Sequence, residues 1–390
     1  MIPEDTESPR CLLCDTSQTG IVVGERGRFG MRVRNIACEI CGLVYVTPRP
    51  NHSAMMDYYR GTYRKHYGQV RCATPSGGTA GPGEPGYDVA LEAWHSVQAE
   101  NCIALGETRP GARVLEVGCR HARTLQLMRT RLDIVAHGVE PGPEESAQAS
   151  AAGVRCFTGT LEEYEPDAPF DQIQLFHVLE HFHDPLAQLV RLRGMLAPGG
   201  KLVIEVPNLY QPYGLLEENF FQNVHLVSFS PNTLPALCRR AGLSPVRVLD
   251  RGALFVVAQP DPLAPEDLPV AFDTTMLPDP TESAEWVAER LATYARLEKE
   301  NSLIKTQGPS MEALANITSL LGRPGLPTHT AHVVAELCEF FMRHGSARAA
   351  CVIATAASDG PHAAPLRDAF HQLARAAAQA VQPGAPPSAG

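Results

Sequence analysis

A carboxylate, a glycine and a second carboxylate stand at a spacing that suits a nucleotide-containing cofactor. Residues 112–141, ARVLEVGCRHARTLQLMRTRLDIVAHGVEP, read as a buried strand, a tight turn opening a helix, and a second buried strand that ends in Glu140. Gly118 lets the backbone of the turn approach a ligand, and a carboxylate about twenty residues later can accept ribose hydroxyls. A second constellation is sulfur. Cys11 and Cys14 form one CxxC, Cys38 and Cys41 another, and 23 residues lie between the pairs. Each pair can sit on a tight turn and point two thiolates at one ion, so the four close a tetrahedral Zn2+ site; a redox dithiol is the other use of such pairs. With every position filled by sulfur the metal would be structural, holding together a unit too small to fold on its own core. A third is HVLEH, His177 to His181. H-x-x-E-H is a zinc-peptidase signature where it lies on a helix. Here the apolar run FDQIQLF precedes it and HFHDP follows, so the five residues straddle a strand end and the turn beyond.

The elements that must position these groups alternate. Strands are predicted near 113–117, 135–139, 154–157, 171–176 and 201–206, with helices near 121–131, 143–152, 184–196 and 231–241, after a long amphipathic helix from Tyr87 to about Gly106. Strand runs separated by helical runs imply parallel pairing with helices on both faces. PVRVLD and ALFVVA are joined only by Arg251 and Gly252, too short for a parallel crossover, so the last pair is antiparallel. Asp184 and Pro185 read as a helix start. The expected fold is α/β: a doubly wound, mostly parallel seven-stranded sheet with an antiparallel last strand, a small N-terminal zinc knuckle and a helical C-terminal accessory region.

Composition excludes other classes. A formal charge of −10 over 390 residues offers no clustered Lys and Arg for a phosphate backbone, which argues against nucleic acid as partner. The N-terminal MIPEDTESPR is not a signal sequence, and no apolar run is long enough to cross a bilayer, so a cytoplasmic location without a membrane partner is expected. Eleven cysteines, an odd number, fit thiols and metal ligands better than a disulfide framework.

Taken in order, Glu116-x-Gly118, GVEP ending on Glu140 and Pro141, FDQIQLFHVLEHFHDP, LAPGGKLVIEVPN and HLVSFSPNTLPALCRRAGL resemble the successive motifs of class I S-adenosylmethionine-dependent methyltransferases. The N-terminal CLLC…CEICGLVYVTPRP, followed by a Tyr-rich helix, resembles the zinc-binding module fused to a bacterial subset that includes sugar C-methyltransferases and other small-molecule enzymes. The resemblance spans about residues 10–260. It implies S-adenosyl-L-methionine as cofactor beside the structural Zn2+. Glu116 would receive the methionine ammonium, Gly118 would keep the turn low, Glu140 would accept both ribose hydroxyls, and Gly159, Thr160 and Leu161 would cover the adenine. Cys119, Arg120, Pro141 and His177 complete the cofactor-binding set. The turn departs from Gly-x-Gly-x-Gly by placing Arg120 and Ala122 at the second and third glycine positions; Arg120 could pair with the cofactor carboxylate, lie outward, or obstruct the pocket.

Methyl transfer is an in-line displacement, for which the protein excludes water, aligns the partners and often removes a proton from the acceptor. Candidate catalytic residues are His225 and His181, supported by Glu180, because imidazole titrates near neutrality. In the sugar C-methyltransferase branch the segment ending at the base reads approximately Tyr-His-Glu-His; here it reads Gln222, Asn223, Val224, His225, so the base candidate survives and its neighbours do not. The acceptor implied is a small hydroxylated molecule: a sugar nucleotide, a glycan precursor or a secondary metabolite. A non-catalytic protein with a degenerate glycine loop and an HxxEH zinc peptidase are the alternatives. Five segments follow: a zinc module over 1–50; a helix and linker over 51–86, with Tyr58, Tyr59, Tyr63 and Tyr67 at helical spacing; the methyltransferase region over 87–260; a helical region over 261–380 that could serve dimerisation or lidding, with AACVIATAA as its one candidate strand; and a disordered tail over 381–390.

Overall fold

A computed structural model describes residues 5–17, 20–61, 72–73, 79–80, 84, 86–212, 214–265, 268–307, 311–321, 334, 337–338, 347–359, 371–372 and 374–375. They group into two compact units: 1–19, 43–208 and 224–281 in one, and 20–42, 209–223 and 282–390 in the other.

The first unit holds a seven-stranded sheet. Its strands are β1 Arg113–Val117, β2 Val135–Glu140, β3 Arg155–Thr158, β4 Phe170–Phe176, β5 Leu196–Val206, β6 Leu243–Arg251 and β7 Ala253–Pro260, in the spatial order β3-β2-β1-β4-β5-β7-β6. The first five pair in parallel, whereas β7 runs antiparallel to both β5 and β6. This is the expected sheet. Strands of a parallel sheet are covered on both faces and so read as continuous apolar runs. Accordingly Leu115, Ile173, Ile204 and Val256 are fully buried, each worth about 1.5–3 kcal/mol relative to exposure. Helix α1 Tyr87–Leu105 precedes β1, and α2 Arg123–Leu132, α3 Pro143–Ala151, α4 Pro185–Gly194 and α5 Thr233–Arg240 lie in connections between strands. Asp184 caps α4 by accepting from the Ala187 amide at 2.9 Å, with Pro185 in the first turn.

One strand is longer than the sequence suggests. β5 starts at Leu196, not Lys201, because the Pro198-Gly199-Gly200 step makes a bulge: Phe170 pairs with Leu196, and the next pair is Gln172 with Lys201. Gly199 takes φ +77° to allow it.

Within the second unit an antiparallel hairpin joins Gly20–Arg26 to Arg32–Cys38. Helix α6, Ala284–Gln307, packs on the hairpin and on α7, Met311–Leu321, which in turn meets α8, Ala347–Asp359. The expected strand AACVIATAA is thus helical. Ala350, Ile353, Ala354 and Ala357 are buried at i, i+3, i+4 and i+7, so its apolar residues serve a helical stripe in an alanine-rich run. Within the helical region, the patterns near 282–305 and 310–321 are present as α6, which starts at Ala284, and α7. Of the one near 329–344 only residues 334, 337 and 338 are described, and that near 363–381 falls almost wholly outside the described residues, as do Tyr63 and Tyr67. Tyr58 is buried on the helix His52–Gly61. Among the described residues no helix is long and apolar enough to cross a membrane.

Candidate cofactor and acceptor site

The turn after β1 is the centre of the site. Gly118 has φ +68°, and a Cβ added there would meet Val178 Cγ2 at 2.6 Å, so the backbone passes the post-β4 loop where only glycine fits. Arg120 and Ala122 also take positive φ, +48° and +54°. The second and third glycine positions therefore keep the glycine conformation without glycine, at a local cost. Arg120 is exposed, and its backbone amide donates to Glu140 Oε2 at 2.9 Å. Glu140 Oε1 accepts from the Gly142 amide at 2.7 Å. One carboxylate at the end of β2 thereby ties together the turns that follow β1 and β2. Burial raises its pKa, and the two amides oppose the rise.

Glu116, on β1 two residues before Gly118, is buried and accepts from Gln174 Nε2 at 2.7 Å. Gln174 faces it because β4 pairs with β1 in the register Gln174 to Glu116. Gln172, on the same face of β4, donates to Gln174 Oε1 and accepts from Thr108, so each amide's orientation is fixed by the next. Burial pushes the Glu116 carboxyl up to about 8, the Gln174 hydrogen bond pulling the other way. Gly159 donates its amide to the Glu140 carbonyl, and Thr160 forms a capping box with Glu163 that places buried Leu161 beside β3. Cys119 is buried with its sulfur 3.7 Å from that of Cys156, and Pro141 is exposed at the end of β2.

The HVLEH run is not an α-helix. β4 ends at Phe176, His177 takes φ +54°, and Leu179–His181 form one short 3-10 turn, so the peptidase geometry is absent. His177 Nε2 lies 3.2 Å from Glu205 Oε1, which also accepts from Gln98, and its ring stacks obliquely on Trp94. Burial alone lowers the His177 pKa, but the hydrogen bond to Glu205 and the charges of Glu180 and Glu205 carry it above its ordinary value. Glu180 is 1% exposed. Neither of its carboxylate oxygens has a hydrogen-bond partner among the described residues; the imidazole nitrogens His177 Nδ1 and His181 Nε2 each lie 3.7 Å from one of them. His181 Nδ1 contacts the Val224 carbonyl at 2.8 Å and Leu226 donates its amide to the Glu180 carbonyl at 2.9 Å, which holds His225 between them. The rings of His181 and His225 meet edge to face at 5.0 Å. A carbonyl can only accept, so His181 donates from Nδ1 and turns Nε2 toward Glu180. The three residues expected to be catalytic are therefore one cluster.

Cys11 and Cys14 flank a turn closed by the Cys11 amide on Thr16 and the Asp15 amide on Cys11; Cys38 and Cys41 flank another, closed by the Gly42 amide on Cys38. Four thiolates are the donor set of a closed tetrahedral Zn2+ site.

Sequence reasoning missed Gln174, Glu205, Gln98 and Trp94. The first two carried a signal: a glutamine and a glutamate inside the apolar strands FDQIQLF and LVIEV need buried partners.

Residues 95–248 match a family model described as a methyltransferase domain. The chain is 32% identical over 189 residues to a tRNA U34 carboxymethyltransferase of Syntrophotalea carbinolica, covering 45% of this chain and 57% of that protein. It is 33% identical over 116 residues to a ubiquinone biosynthesis O-methyltransferase of Bradyrhizobium sp., covering 28% and 42%. The chain thus spans about half the length of the curated relatives it matches. Among solved structures, a 1,6-didemethyltoxoflavin-N1-methyltransferase from Burkholderia thailandensis aligns with TM-score 0.42 and 18% identity over 61% of this chain and 99% of that one. The family match thus marks residues 95–248, which carry Glu116, Gly118 and Glu140, as similar to a methyltransferase domain.

Proposed function

We propose that the chain transfers a methyl group from S-adenosylmethionine to an oxygen of a small hydroxylated molecule. The observation that carries this reading is the pair of buried carboxylates at the C-terminal edge of the sheet, Glu116 and Glu140, on either side of a turn that only glycine fits at residue 118. Ligands of open α/β sheets bind at that edge. When bound, S-adenosylmethionine supplies a methyl activated by the sulfonium. Glu116 would hold the methionine ammonium and Glu140, already fixed by two amides, the ribose hydroxyls. Thr160 and Leu161 would cover the adenine, with Cys119, Pro141 and His177 completing the wall. The acceptor's proton leaves toward Glu180, His181 and His225, the cluster beside the turn, whose imidazoles are the candidate bases. The relatives named as O-methyltransferases support an oxygen acceptor, and a net charge of −10 favours a small molecule over tRNA.

The test is labelled methyl transfer from S-adenosylmethionine to a panel of phenols, sugar nucleotides and tRNA. Labelling of a phenol or sugar supports the reading. Labelling of tRNA alone overturns the acceptor class, and the absence of donor binding overturns the enzyme.

We also propose that Cys11, Cys14, Cys38 and Cys41 hold one structural Zn2+. Strong chelation should remove one zinc per chain and lower the melting temperature, and Cys38→Ser should do the same. Full stability after complete zinc removal would contradict it.

A further inference from the structure

We infer that Glu180, His181 and His225 form a binding site for a divalent first-row transition cation, separate from the four cysteines. The inference deepens the reading of this cluster as the acceptor side of the reaction and rests on it for its purpose, although cation binding can be read without methyl transfer. One ligand atom from each of the three residues lies within 4.8 Å of those of the other two. A buried carboxylate with no hydrogen-bond partner is costly, since burial removes the hydrogen bonds that water would give it. Here both oxygens of Glu180 are in that state, and His177 Nδ1 and His181 Nε2 each lie 3.7 Å from one of them. A cation held between this carboxylate and the two imidazoles would give the unpartnered oxygens a ligand.

The surroundings are those of a ligand set. The Val224 carbonyl on His181 Nδ1 fixes the tautomer and ring orientation, as the outer partners of metal-bound histidines do. His225 is buried and held by the backbone bonds on either side of it. Two imidazoles and one carboxylate suit Zn2+, Fe2+ or Co2+ and leave positions open. An acceptor hydroxyl bound at an open position loses its proton more readily, because a metal-bound oxygen is a stronger acid. In that state the imidazoles act as ligands and the cation acidifies the acceptor.

The experiment loads the full chain with one equivalent of Zn2+, titrates Co2+ and follows stoichiometry and visible absorption, with S-adenosylmethionine calorimetry on the same samples. Wild type should take up one further Co2+ per chain with nitrogen and oxygen d–d bands and no thiolate charge-transfer band. Glu180→Gln and His225→Ala should each weaken that uptake at least 100-fold while still binding S-adenosylmethionine. Equal uptake in all three chains, or bands of thiolate type only, would overturn the site. Should a variant fail to fold, X-ray absorption of Co2+-loaded wild type decides: two imidazoles in the shell support the site, none refutes it. Donor binding without this cobalt site removes the inference alone, and the cobalt site without donor binding removes the proposed function alone.

Discussion

Two carboxylates near the same sheet edge live under opposite conditions. Glu140 receives two backbone amides, from Arg120 and Gly142, and its geometry is finished by the chain itself. Glu180, in the turn that follows β4, is more deeply buried and receives none. The difference separates two tasks. A site for an invariant donor can be built in advance from main-chain groups, whose positions the sheet fixes. A site that meets the acceptor leaves its carboxylate without hydrogen-bond partners until something external arrives. Glu116 stands between: one glutamine satisfies it, and burial still holds its carboxyl at about 8.

The largest effect should come from the finished carboxylate. Glu140→Ala removes the tie between two turns and the ribose acceptor, and should weaken S-adenosylmethionine binding about 100-fold by calorimetry, near 2.7 kcal/mol. An unchanged affinity would make the two carboxylates equivalent and end the comparison.

Next is pH. Below about 8 Glu116 is protonated in the free protein, whereas the ligand's ammonium needs it ionised. Affinity should therefore rise about tenfold between pH 6 and 7, with a proton released on binding, and Glu116→Gln should flatten the profile. Stability has the opposite sign. A carboxyl whose folded pKa is raised contributes its full stability below about 4.5 and loses it as pH climbs through 8, so melting temperature should fall over that window in wild type and less in Glu116→Gln.

Gly118→Ala should cost about 1–2 kcal/mol of stability, from φ +68° and the clash with Val178. Adding Val178→Ala should restore only the share due to the clash, as read by denaturant unfolding. The smallest change is expected from Arg120→Gly. It relieves an unfavourable φ of +48° at an exposed residue and should stabilise by about 0.5–1 kcal/mol. Donor affinity should stay within about threefold if the side chain lies outward; a larger loss assigns the guanidinium to the donor carboxylate.

The sequence made the sheet legible because its strands are buried on both faces and read as apolar runs, and because a one-residue link forces β6 and β7 antiparallel. It made Glu116, Gly118 and Glu140 legible because turn, helix and second strand fix their spacing. It concealed Gln174 and Glu205, whose partners depend on the register between strands far apart in the chain. It also misled at AACVIATAA, where small and β-branched residues fit a strand locally, and the packing of α8 selects the helical period instead. The isolation of Glu180 was invisible, since no pattern of residue types announces that a carboxylate lacks partners.

The central claim is that the edge between Glu116 and Glu140 is a donor site. Calorimetric titration of S-adenosylmethionine into the full chain at pH 7.5 tests it most directly. One site per chain, abolished or weakened about 100-fold by Glu140→Ala, is the result expected; no heat of binding from a folded wild-type chain would contradict it.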